Sequence, residues 1–273
     1  MFQAPVKRTR ARTAFGLLEV MYHSIVRDVR KSHRNAVIGL LLNMLQAVIF
    51  VITFYAMFAI LGIRGAALRG DFLLYIMSGI FLFLTHTKTM AAVVGAEGPS
   101  SPMMQHAPMN TAISITAAAV SSLYLQVLSL VVILFIYHVG FKPVHIEDPI
   151  GAFGMLLLAW FSGVGVGMVF LALKPWLPDL VGLMTSLYSR ANMIASGKMF
   201  VANSLPSSML VMFDWNPLFH SIDQTRGFVF LHYNPHNSSA MYPLYVGIGL
   251  IMIGLMGEFY TRQKVSASWG ATR

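Results

Sequence analysis

AVIGLLLNMLQAVIFVITFYAMFAIL, residues 36–61, runs for its whole length without one Asp, Glu, Lys or Arg. A helix that crosses a bilayer needs about 20 consecutive, mostly apolar residues, so this stretch reads as a membrane span. It is too long for the apolar region of a signal peptide, and it reads as an uncleaved first span. The rest of the chain agrees. Of 273 residues, 56% are hydrophobic and 11% are charged, against roughly 25% charged in soluble domains. A soluble core of this size could not hide so much apolar side chain.

Four further runs meet the same test: Phe72–Val94, Ala112–Val139, Gly151–Leu173 and Tyr242–Tyr260. A sixth, Leu180–Ser204, contains Arg190 and Lys198. The expected fold class is all-α: a polytopic membrane protein with six transmembrane helices. Residues 1–35 form a basic amphipathic segment, 36–260 the six-span domain, and 261–273 a tail.

Basic residues set the expected orientation. Lys7, Arg8, Arg10, Arg12, Arg27, Arg30, Lys31 and Arg34 all precede the first span. With the N-terminus inside, these and Lys174, Arg262, Lys264 and Arg273 make twelve of the nineteen Lys and Arg cytoplasmic. Six spans then place both termini in the cytoplasm. The net charge of +9 is a topogenic signal, and no nucleic-acid partner is expected. Without cysteine, disulfides and thiolate metal sites are excluded.

Before the first span, AFGLLEVMYHSIVRDVR (residues 14–30) repeats Phe15, Leu18, Tyr22, Ile25 and Val29 at helical spacing. That pattern predicts an amphipathic helix on the cytoplasmic membrane surface. Between spans five and six, DWNPLFHSIDQTRGF (residues 214–228) concentrates polarity in a greasy chain. With the short apolar piece before it, it reads as a broken re-entrant or interfacial segment, tolerated where protein or water covers it.

Three motifs bear on chemistry. ASGKMF (residues 195–200) lacks the first glycine and the hydroxyl residue of a phosphate-binding loop, so no nucleotide site is expected in this chain. His220 and Asp223, with His232 and His236 beyond, could be drawn as an acid/base pair or a metal cluster. The plainer reading is a capped helix: Asn216 as N-cap, Pro217 in the first turn, Gly227 at its end, and Arg226 paired with Asp223 or Asp214. No metal ligand set is expected. Arg190 and Lys198 would lie on one face of span five, about 12 Å apart along the axis. A charge at the bilayer centre costs at least about 2.5–3.5 kcal/mol, so these residues point to a cationic strip along a substrate path or a subunit interface. His86 and Lys88 of span two join it. Gly163, Gly165 and Gly167 allow close helix packing, within the chain or between copies.

In this order of features the chain resembles the ABC-2 type permeases, and within them the branch that exports capsular and related polysaccharides. The resemblance is carried by RDVRKSHRNAVIG (27–39) leading into span one, by LYIMSGIFLF (74–83), and above all by ASGKMFVANSLPSSMLVMFDWNPLFHSIDQTRGFVF (195–230). Two departures stand out: Leu40–Leu42 replace a tryptophan common after the first-span glycine, and the loop 95–110 is proline-rich and lacks Lys and Arg.

The resemblance implies the permease subunit of an exporter in the bacterial inner membrane, not itself an enzyme. Partners would be a second copy of the chain, two ATPase subunits that bind ATP and Mg, a lipid-linked polysaccharide, and periplasmic or outer-membrane export components. Arg190, Lys198, His86 and Lys88 would line the substrate path. Trp215, Phe219, His220, Asp223, Arg226 and Phe228 would form the outer gate. Tyr22, Arg27, Arg30, Met103, Met104, Gln105 and His106 would dock the ATPase. Three alternatives stay open: export of O-antigen or another glycoconjugate, a small-molecule ABC-2 exporter, and a membrane enzyme acting on lipid-linked sugars through His220 and Asp223.

Overall fold

All regular structure in the computed structural model, which describes residues 10–31, 36–62, 70–98 and 110–270, is helical. The long helices are α1 (Arg10–Lys31), α2 (Ala36–Ile60), α3 (Phe72–Val94), α4 (Thr111–Gly140), α5 (Pro149–Leu173), α6 (Pro178–Ala195) and α9 (Met241–Gly270). Between α6 and α9 lie a 3-10 turn at Ala202–Ser204, the single-turn α7 (Ser207–Leu210), and α8 (Pro217–Val229). Five helices, α2, α3, α4, α5 and α9, are long and apolar enough to cross a membrane. Met103, Met104, Gln105 and His106 fall outside the described residues.

Polar residues at the helix starts fix where the spans begin. Asp71 caps α3 by accepting from the Leu73 amide at 2.9 Å, and takes a hydrogen bond from the Tyr137 hydroxyl of α4 at 2.5 Å. Asn110 caps α4. Asp148 caps α5 through the Ile150 and Gly151 amides, with Pro149 in the first turn. Each cap satisfies backbone donors that the helix leaves free.

The bundle is built around α3 and α5. Both are mostly enclosed by protein, whereas less than a third of the apolar stretch of α2, α4 and α9 is buried. The glycines of α5 make this possible by serving two neighbours. A Cβ at Gly163 would stand 2.6 Å from the His86 carbonyl oxygen, and one at Gly167 would stand 2.9 Å from that of Met90, both on α3. Gly165 faces α9 instead, where a Cβ would meet Leu250 at 2.9 Å. The glycines therefore pack within the chain, which settles a choice the sequence leaves open.

Two boundaries differ from the sequence reading. The sixth apolar run is helical only to Ala195, not to Ser204. Ser196 and Gly197 end it, Gly197 at φ +75°, the left-handed conformation that glycine adopts without Cβ strain. At the other end of the chain, α9 continues through 261–270, so the segment read as a tail prolongs the last helix.

Candidate functional site

Asn216 and Pro217 begin α8. The Asn216 side chain accepts from the Leu218 amide at 3.0 Å, and its Nδ2 donates to Asn192 Oδ1 at 2.8 Å and to the Ala195 carbonyl at 3.0 Å. One asparagine thus caps α8 and ties it to the end of α6. The cap agrees with the sequence reading. Gly227, however, lies inside α8, which runs on to Val229, and a Cβ there would stand 2.7 Å from Pro235 Cδ.

Arg226 does not pair with Asp223 or Asp214. The residue is 1% exposed, and its guanidinium donates to three carbonyls: Gly197 at 2.9 Å, Lys198 at 2.9 Å and Phe200 at 2.6 Å. Its Cζ also stands 4.2 Å from the centre of the Tyr75 ring of α3. The residues after α6 have left helical geometry, so their carbonyls need donors, and a planar five-donor cation supplies several at once.

Asp223 instead receives hydrogen bonds from the Tyr233 hydroxyl and from Ser238 Oγ. His220 Nδ1 accepts from the Ser239 amide at 3.0 Å, which requires its proton on Nε2, where it is donated to the Asp214 carbonyl at 2.6 Å. Burial pushes this imidazole below its usual pKa, in keeping with the neutral tautomer the Ser239 bond demands. His220 and Asp223 thus fasten the 230–240 segment over α8 and are not free to act as an acid/base pair in this conformation.

The aromatic residues divide. Trp215 is 60% exposed, its Nε1 donating to the Met212 carbonyl at 2.8 Å. Phe219 is enclosed beside Phe200 and Phe213 and offers no face to a ligand. Phe228 is half-buried against Gly151 at the start of α5.

The four residues expected to line a path do not converge within one chain. Because α6 stops at Ala195, Arg190 and Lys198 share no helical face. Arg190 is exposed on α6. Lys198 is 3% exposed, its Nζ held 3.4 Å from the centre of the Phe83 ring and 4.9 Å from that of Phe54. His86 is fully buried; its Nδ1 meets the Ala159 carbonyl at 3.1 Å and Ser162 Oγ at 3.0 Å, and its Nε2 meets the Tyr188 hydroxyl at 3.0 Å. It therefore ties α3 to α5 and α6. Lys88, two residues on, points the other way and donates to Asn43 Oδ1 of α2, which also accepts from Gln126 of α4 at 3.1 Å.

Asn43, Gln126, Ser162, Tyr188 and Asn192 complete these networks and were not singled out from the sequence. Their polarity inside apolar runs was the available signal. Ser196 Oγ, Lys198 Nζ and Arg226 Nε are buried without a hydrogen-bond partner among the described residues. On α1, Tyr22 is exposed, and Arg27 lies beside Asp28 near a cavity of about 250 Å³ that Glu97 and Ser114 also line. Arg30 belongs to the same helix.

Comparison of the sequence with protein-family models and with curated proteins gives no match.

Proposed function

We propose that this chain is the permease subunit of an ABC exporter that moves a lipid-linked polysaccharide across the bacterial inner membrane, a capsular polymer first and an O-antigen-type glycan next. One observation carries the reading. Lys198 is a cation buried without a carboxylate or other hydrogen-bond partner among the described residues, inside the polar unit that separates α6 from α9. Buried charges in membrane proteins usually pair, or mark the route of a charged substrate. A phosphate-linked or acidic glycan supplies the missing anion.

In this reading α6 is the fifth of six spans, both termini are cytoplasmic, and α8 with its connections forms a re-entrant gate on the outer side. ATP and Mg are bound by a separate ATPase, which docks on α1 and the 95–110 connection. Two copies of the chain pair to form the path. The hydrogen bonds that occupy His220 and Asp223 favour this transport reading over a membrane enzyme using that pair.

The test is deletion of the gene, with polysaccharide assayed separately at the cell surface and inside the cell. Loss from the surface with polymer or lipid-linked intermediate accumulating inside is the expected result. Loss from both pools without accumulation would shift the assignment to an assembly enzyme. Unchanged surface polymer would favour a small-molecule exporter.

A further inference from the structure

A second cavity, of about 200 Å³, opens among α3, α4, α5 and α8 at the end of the bundle that carries α8. Leu134, Leu156 and Val229 are among the apolar side chains that line it, and Ser78 and Thr225 provide its hydroxyls. Neither hydroxyl is available to a ligand as a donor: Ser78 donates to the Tyr75 carbonyl at 2.8 Å and Thr225 to that of Ser221 at 2.7 Å. An apolar cavity of this size stays dry, and an unfilled one forfeits dispersion contacts along its walls.

Phe153, which lines the cavity, is itself 47% exposed, and Phe135 and Ile150 nearby on α4 and α5 are 66% and 84% exposed. All three belong to helices long and apolar enough to cross a membrane, and with α4 and α5 read as spans the mouth faces bilayer hydrocarbon. The α4–α5 connection contributes Ile146 to the lining and exposes Lys142 and Glu147, a cation and an anion at the level of a headgroup.

We propose that the cavity is a binding site for one acyl chain of a zwitterionic phospholipid from the surrounding bilayer. The site is separate from Lys198 of the proposed path but shares α8 with the clamp that holds that lysine's carbonyl. Thr225 and Val229 form its wall, while Arg226 between them faces α3 and clamps the residues after α6. The bound chain therefore supports α8 on the face next to its clamp.

The experiment places the full chain in nanodiscs of phosphatidylethanolamine doped with the same lipid carrying a diazirine in one acyl chain. Labelled residues are then mapped by mass spectrometry. The expected result is several-fold more label at Leu134, Phe153 and Leu156 than on the exposed face of α9 at Met252 and Met256. Filling the cavity with Ala152→Phe or Leu134→Trp removes the excess and leaves the α9 label unchanged; either variant suffices if the other does not fold. Equal labelling of the two regions in the wild type overturns the proposal, and so does an excess that survives in a folded, cavity-filled variant.

Discussion

Arg226 shows how one side chain can stabilise a segment that has no regular structure. Its guanidinium spans three carbonyls of residues 197–200 that the end of α6 leaves without helical donors. Lysine carries the same charge but concentrates it on a single nitrogen without the planar fork. Arg226→Lys should therefore cost on the order of 3 kcal/mol, since hydrogen bonds to charged groups contribute about 1.5–3 kcal/mol each and the orphaned carbonyls stay buried. Thermal unfolding of the purified protein measures this, and the absence of native cysteine allows a second readout. A cysteine placed at Ser196 should be protected from maleimide in the parent and react in the Arg226→Lys background. Lys198 predicts the opposite sign. It sits among the Phe50, Phe54 and Phe83 rings with no hydrogen-bond acceptor among the described residues, and an apolar side chain of similar volume removes the cost of keeping that charge out of water. Lys198→Met should melt no lower than the parent while export falls. Normal surface polysaccharide in that variant would remove Lys198 from the path.

At the scale of elements, the glycines of α5 determine how closely the bundle closes. Gly163→Ala brings a Cβ to 2.6 Å from the His86 carbonyl oxygen, a backbone atom that cannot move aside. It should destabilise by about 1–3 kcal/mol, the usual cost of overpacking. Gly249→Ala on α9 is the matched control, because a Cβ there meets nothing within 4 Å, and its melting temperature should stay at or slightly above that of the parent. Equal losses in the two variants would mean that helix propensity, not close approach, is being measured. The five clean spans were legible because each is a long, mostly apolar run in local sequence, and α3, α4 and α5 also begin at a capping Asp or Asn. The end of α6 was misread because hydropathy alone carried the helix past Ser196-Gly197, although a glycine after the last helical residue is itself a stop signal. The hydrogen bonds of His86 to Ser162 and Tyr188, and of Lys88 to Asn43, were beyond reach. They join residues far apart in the chain, and only the packing of α3 decides which neighbour each polar side chain meets. The same limit explains Arg226, whose nearest acids in sequence looked like its partners until the carbonyls after α6 were placed beside it.

For the whole molecule, the proposed pairing of two copies makes its prediction at α6. Apart from Val181 and Asn192, its side chains are exposed or only half-buried, among them Leu180, Leu183, Leu187 and Ile194. Lipid alone could cover such a surface if it were wholly apolar. Arg190 interrupts it, exposed on the same helix, and an arginine facing hydrocarbon costs at least about 2.5–3.5 kcal/mol. With α6 as the fifth span of the proposed permease, the side that carries Arg190 would meet water or protein, and the proposed second copy across a shared path would supply both. Ala191 is exposed next to Arg190, and the chain has no other cysteine to confuse the result. In native membranes, Ala191→Cys treated with a short bis-maleimide should give a species of twice the chain's mass, while a cysteine at Met256 on α9 should not. A monomer at both positions would place α6 against lipid, leave Arg190 to reach the interface along its own side chain, and remove the structural case for a path between two copies.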